Sequence, residues 1–131
     1  MNQGFVLQDD CSFEFFQGLI VLEGRIHCLG QIEVTVKKLI EVLSGSGHAR
    51  IVQTRQFSYH ANFANGPNIL RYDSPVPHRN YYHKHRFDTF GTCREIEVVQ
   101  IDSEEDVPTL GEVLTELQEW YWGNEDRIAT M

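Results

Sequence analysis

Hydrophobic and polar residues alternate along much of this chain. Ile32, Val34 and Val36 are β-branched and separated by Glu33, Thr35 and Lys37. That period of two predicts a half-buried strand over 32–43. Ile32, Val36, Leu39 and Leu43 also fall at helical spacing, but Gly30 and the run Ser44-Gly45-Ser46-Gly47 read as turns at the two ends and decide for the strand. Residues 49–63 alternate through Ile51, Phe57, Tyr59, Ala61 and Phe63, a long strand with room for a bulge. Asn65-Gly66-Pro67-Asn68 then predicts the turn of a hairpin into ILRYD, residues 69–73. Shorter strands are expected at 25–29, between Gly24 and Gly30, and at 94–101.

Two segments read as helices. SFEFFQGLIVL, residues 12–22, predicts a short apolar helix with Ser12 as N-cap, although Gly18 also suits a strand. After Pro108, Thr109 and Glu112 match a capping box. Leu110, Val113, Leu114, Leu117 and Tyr121 then form one apolar face, with Glu112, Glu116 and Glu119 turned outward. Residues 123–131 are expected to fray. Together these elements predict one α+β domain over 1–131, with its core at about 12–122: a curved antiparallel β-sheet of about five strands packed against an N-terminal and a C-terminal helix.

Charge changes this picture in one respect. The net charge of −8 is unevenly distributed, since residues 1–94 carry +2 and residues 95–131 carry −10. The acidity belongs to the C-terminal quarter, which leaves room for a basic patch upstream. Three widely spaced cysteines, Cys11, Cys28 and Cys93, form neither a disulfide framework nor a CxxC metal pattern. They predict a reducing, cytoplasmic setting. The opening MNQGFVLQDD turns acidic within ten residues, unlike a secretory signal, and no apolar run reaches the length of a membrane span.

The candidate chemistry lies in residues 71–86, RYDSPVPHRNYYHKHR. Pro75 and Pro77 exclude a helix there and disfavour a central strand, so the segment reads as a histidine-rich loop. It holds His78, His83 and His85, four cations (Arg71, Arg79, Lys84, Arg86), three tyrosines and Asp73. On extended backbone His83 and His85 point to one side, while Lys84 and Arg86 point to the other. Two imidazoles beside an arginine suit metal-independent cleavage of RNA. One takes the 2′-hydroxyl proton, the other protonates the leaving 5′-oxygen, and arginine neutralises the phosphate. The candidate catalytic residues are therefore His83, His85, Arg86, Arg71 and Asp73, with Asp73 orienting a histidine. The candidate substrate-binding residues are Tyr72, His78, Arg79, Tyr82 and Lys84, the tyrosines stacking on unpaired bases. No metal or cofactor is called for in this reading.

Plainer readings stand beside it: surface histidines, Tyr72 as a core residue and Asp73 as a turn cap. A metal-dependent hydrolase built on His83-x-His85 with Asp73 or His78 is another reading. A third is a non-enzymatic interaction module or homodimer using Trp120, Tyr121 and Trp122. His27, His48 and His60 receive no role.

Three motifs in order resemble the TumE-type toxins of bacterial toxin–antitoxin pairs, over roughly residues 19–122. They are VLEGRIHCLGQIEVTVKK (21–38), ILRYD (69–73) and YHKHRF (82–87), followed by the amphipathic C-terminal helix. The chain departs from the family pattern in two places. Asp73 is followed by Ser74-Pro75-Val76-Pro77, where the family has asparagine, alanine and histidine. Tyr82 stands where the family has an aspartate. The resemblance implies a small cytoplasmic toxin neutralised by a cognate helix-turn-helix antitoxin. RNA as the target comes from the residues above.

Overall fold

The computed structural model describes residues 4–44 and 50–131. Eight strands form one antiparallel sheet: β1 (Val6–Asp9), β2 (Ser12–Phe16), β3 (Leu19–Cys28), β4 (Ile32–Ser44), β5 (Arg50–Phe63), β6 (Asn68–Asp73), β7 (Tyr82–Phe87) and β8 (Glu95–Ile101). The order across the sheet is β1-β3-β4-β5-β6-β7-β8, and β2 also pairs with β3. Helices α1 (Leu110–Gly123) and α2 (Glu125–Ala129) follow. No helix among the described residues is long and apolar enough to cross a membrane.

The expected N-terminal helix does not exist, and the sheet has eight strands rather than about five. Residues 12–22 form a hairpin. Gln17 and Gly18 both adopt positive φ, +48° and +81°. This is the two-residue turn whose twist matches paired strands. Ser12 opens β2 instead of capping a helix. The histidine segment is likewise not a loop throughout, because residues 82–87 form β7 between β6 and β8. The prolines confine the irregular backbone to 74–81, and the alternating, aromatic-rich YHKHRF then re-enters the sheet.

The other expectations for 32–73 hold. β4 begins at Ile32, and β5 and β6 form the hairpin around Asn65-Gly66. A bulge leaves Arg55 unpaired between Leu39↔Gln56 and Ile40↔Thr54. It shifts the alternation of β5 by one residue and leaves that of β4 unbroken. The SGSG turn, beyond Ser44, lies outside the described residues, as does His48.

Register divides the sheet into two faces. On one, the row Gly24–Val36–Tyr59–Tyr72–Lys84 runs beside Ile26–Val34–Ala61–Leu70–Arg86. Val34, Val36 and Ala61 are fully buried there, and Val113, Leu114 and Leu117 of α1 complete the core. Thr109 caps α1 through the expected capping box. Glu116 does not turn outward as expected. It accepts a hydrogen bond from the Tyr72 hydroxyl at 2.7 Å and pairs with Lys84, tying α1 to the sheet. Burial first, and then this carboxylate, push the Tyr72 phenol well above its usual range. Trp120 stacks on Phe90 with ring centroids 5.5 Å apart, and Tyr121 packs on Phe5, so of the three C-terminal aromatics Trp122 is the exposed one. β2 is an edge strand whose Phe13, Phe15 and Phe16 are exposed, Phe15 to 79%.

Two outcomes follow from the packing. At Gly24 an added Cβ would lie 2.5 Å from Cys11 Cα and 2.6 Å from the Asp10 carbonyl oxygen, where the chain steps from β1 to β2. Gly24→Ala is expected to cost about 1–3 kcal/mol, read as a lower urea midpoint with an unchanged slope. Burial raises both the Cys11 and Cys28 thiols to about 11, with Asp9 adding to the effect at Cys11, whereas Cys93 is exposed. An aromatic disulfide reagent at about pH 7.5 should therefore label Cys93 first and the other two only on unfolding.

Candidate functional site

The opposite face of the sheet is polar. One row reads Glu23–Lys37–Ser58–Asp73–His83–Gln100, and the next Arg25–Thr35–His60–Arg71–His85–Val98. Strand alternation places these side chains on one side, away from α1. Register places Asp73 and Arg71 of β6 between Ser58 and His60 of β5 and His83 and His85 of β7.

Asp73 is the centre of the cluster, with its side chain 14% exposed. His60 Nε2 lies 3.0 Å from Asp73 Oδ1. Around Oδ2 are Arg71 Nη2 at 3.5 Å, His85 Nε2 at 3.4 Å and His83 Nε2 at 3.9 Å. Oδ2 is buried without a hydrogen-bond partner among the described residues. Burial alone would raise the Asp73 carboxyl. The His60 hydrogen bond and the charge of Arg71 outweigh burial, and the net shift is downward. Asp73 is therefore a carboxylate, which accepts hydrogen bonds only.

Each buried imidazole is held from behind. His83 Nδ1 lies 2.8 Å from the Tyr81 carbonyl oxygen, and His85 Nδ1 pairs with a Glu95 carboxylate oxygen. The two rings meet edge to face with centroids 4.9 Å apart. His60 has a different environment. Its Nε2 is 2.7 Å from Ser58 Oγ and receives the Arg71 Nε–H at 3.0 Å. Arg71 can only donate and Asp73 can only accept, so one nitrogen satisfies one of them at a time.

Exposure separates these groups by what they can touch. His83 and His85 are 3% and 8% exposed, whereas the His60 and Arg71 side chains are 32% and 36% exposed. A cavity of about 430 Å³ adjoins the cluster and reaches Asp73 and Ser58, with Glu23, Lys37, Lys38 and Val76 also in its wall. Asp73, His83 and His85 offer ligand atoms all within 4.8 Å of one another, the arrangement that could hold a metal ion.

Of the residues singled out from sequence, Asp73, Arg71, His83 and His85 come together. Lys84, Tyr72 and Arg86 do not, because they occupy the α1 face, where Arg86 pairs with Glu97 at 3.6 Å. Tyr82 stacks on Phe57, on that same side, with centroids 6.0 Å apart. His78 and Arg79 lie in the proline turn, which the Val76–Arg79 backbone bridge folds back on itself. His60, Ser58 and Glu95 join the site without having been singled out. Ser58-x-His60 shows only that the two share a face, and its approach to Asp73 depends on pairing between strands.

Comparison with known proteins returns no match: no family model, no curated protein and no solved structure matches the chain.

Proposed function

We propose that this chain is the toxin of a toxin–antitoxin pair and acts on RNA as a small endoribonuclease, with a helix-turn-helix antitoxin as its cognate partner. The motif resemblance supports the toxin assignment. One geometric observation carries the chemistry: His60 and Arg71, both more accessible than His83 and His85, sit 3.0 Å apart beside a buried carboxylate. Arg71 offers the planar donor set that suits phosphate oxygens. Lys37, on the same face and in the cavity wall, adds a second cation with no ion-pair partner among the described residues. The RNA supplies its own nucleophile. Its 2′-oxygen forms the new bond to phosphorus as the bond to the 5′-oxygen breaks, and the departing 5′-oxygen takes its proton from solvent water. His60 is the imidazole placed to take the 2′-hydroxyl proton, and Arg71 meets the charge that develops on the phosphate. In this reading the buried His83 and His85 do not meet the RNA.

The test is cleavage of a long single-stranded RNA by the purified full chain, run both in chelator and with added zinc. His60→Ala should lower the rate about a hundredfold or more. Arg71→Ala should lower it about a hundredfold, and His27→Ala should leave it unchanged. RNA left intact under both conditions would sink the nuclease reading.

A further inference from the structure

We infer that Asp73, His83 and His85 form a binding site for a divalent transition-metal ion of the zinc class. The inference concerns the same cluster as the nuclease reading but does not depend on RNA. It rests on where the hydrogens must be. The Tyr81 carbonyl oxygen and the Glu95 carboxylate accept hydrogen bonds only, so the Nδ1 of His83 and of His85 each carries a hydrogen and donates it. With Nδ1 engaged from behind, Nε2 is the ring nitrogen that each histidine turns toward the cluster. Both face Asp73 Oδ2, which is itself an acceptor, buried and without a hydrogen-bond partner among the described residues. Three ligand atoms, one each from Asp73, His83 and His85, thus converge within 4.8 Å of one another. A buried carboxylate oxygen without a hydrogen-bond partner is costly, and a cation held between it and the two imidazoles would satisfy it.

The distances suit such an ion. Bonds of 2.0–2.1 Å in a tetrahedron separate ligand atoms by roughly 3.3 Å. His85 Nε2 is already 3.4 Å from Asp73 Oδ2, and His83 Nε2, at 3.9 Å, needs only a small turn. Two imidazoles and a carboxylate select zinc, cobalt, nickel or iron over magnesium or calcium. The outer contacts also match those of a metal centre, where each ligating histidine donates its other N–H to a carbonyl or carboxylate. Asp73 Oδ1, the remaining oxygen, is engaged by His60. Three protein ligands leave a coordination position for water or a substrate oxygen.

Cobalt(II) provides the probe. The full chain, freed of metal by chelator and dialysed, is titrated with cobalt chloride and followed by visible absorption and calorimetry, with zinc chloride as competitor. One cobalt per chain is expected, displaced by zinc. His83→Gln, His85→Gln and Asp73→Asn should each weaken binding about tenfold or more. Glu95→Gln should also weaken it about tenfold through the half-exposed Glu95 side chain, which keeps the test decisive if a buried variant misfolds. His27→Gln, at the exposed His27–Asp10–Glu33 group, should bind as the parent does. Absence of cobalt and zinc binding overturns the inference. So does binding that survives Glu95→Gln and the ligand variants or is lost in His27→Gln. A chain that binds cobalt yet leaves RNA intact overturns the nuclease reading and leaves the metal site standing.

Discussion

The register that joins β5, β6 and β7 is the constraint on which both sides of the molecule depend. Tyr59 opposite Tyr72, and Tyr72 opposite Lys84, set the face that α1 covers. The same pairing sets His60 opposite Arg71 and Arg71 opposite His85 on the other face. Because side chains alternate strictly, sliding one strand by one residue would exchange the faces. His83 and His85 would then lie under the helix, and tyrosine and leucine side chains would enter water. The Tyr72–Glu116–Lys84 contact works against that slip from the core side, since it needs Tyr72 and Lys84 beneath α1. The core and the polar cluster are thus specified by one geometric choice.

Asp73 shows what that choice costs. A carboxylate removed from water loses solvation, and the loss is offset only if enough donors and positive charge surround it. Two strands supply the main compensation here: His60 from β5 and Arg71 from β6 itself. Arg71 lies two residues from Asp73 on the same strand, whereas His60 reaches it only once β5 and β6 have paired. Oδ1 lies 3.0 Å from His60 Nε2, whereas Oδ2 has no hydrogen-bond partner among the described residues, which makes the group an asymmetric acceptor.

Local signals read well where the chemistry was local. The β-branched alternation of β4, the turn before β6 and the Thr109–Glu112 capping box are each written in a few neighbouring residues, and the structure forms all three. The N-terminal hairpin was not legible in this way. SFEFFQGLIVL is an apolar run short enough to fit either period, and its turn requires Gln17, an unremarkable residue, to adopt a left-handed conformation. The cations of residues 71–86 show a second limit. Counting charge along a strand adds both faces together, and alternation sends Lys84 and Arg86 to the helix side although they flank His85. His60 marks the third limit. It lies 13 residues before Asp73 in sequence and 3.0 Å from it in space, a distance that exists only once the strands have paired.

The exposed phenylalanines of β2 have a colloidal consequence. An edge strand offers unpaired N–H and C=O groups to any strand that meets it, and proteins usually blunt such edges with lysine, proline or inward charge. Within Ser12–Phe16 the one charged side chain is Glu14, and no proline interrupts the run. That single carboxylate is the gatekeeper of this edge. As molecules crowd, its repulsion across a pairing ribbon opposes the apolar gain of three phenylalanines a side. Salt screens that repulsion, so two such edges meet more readily as ionic strength rises.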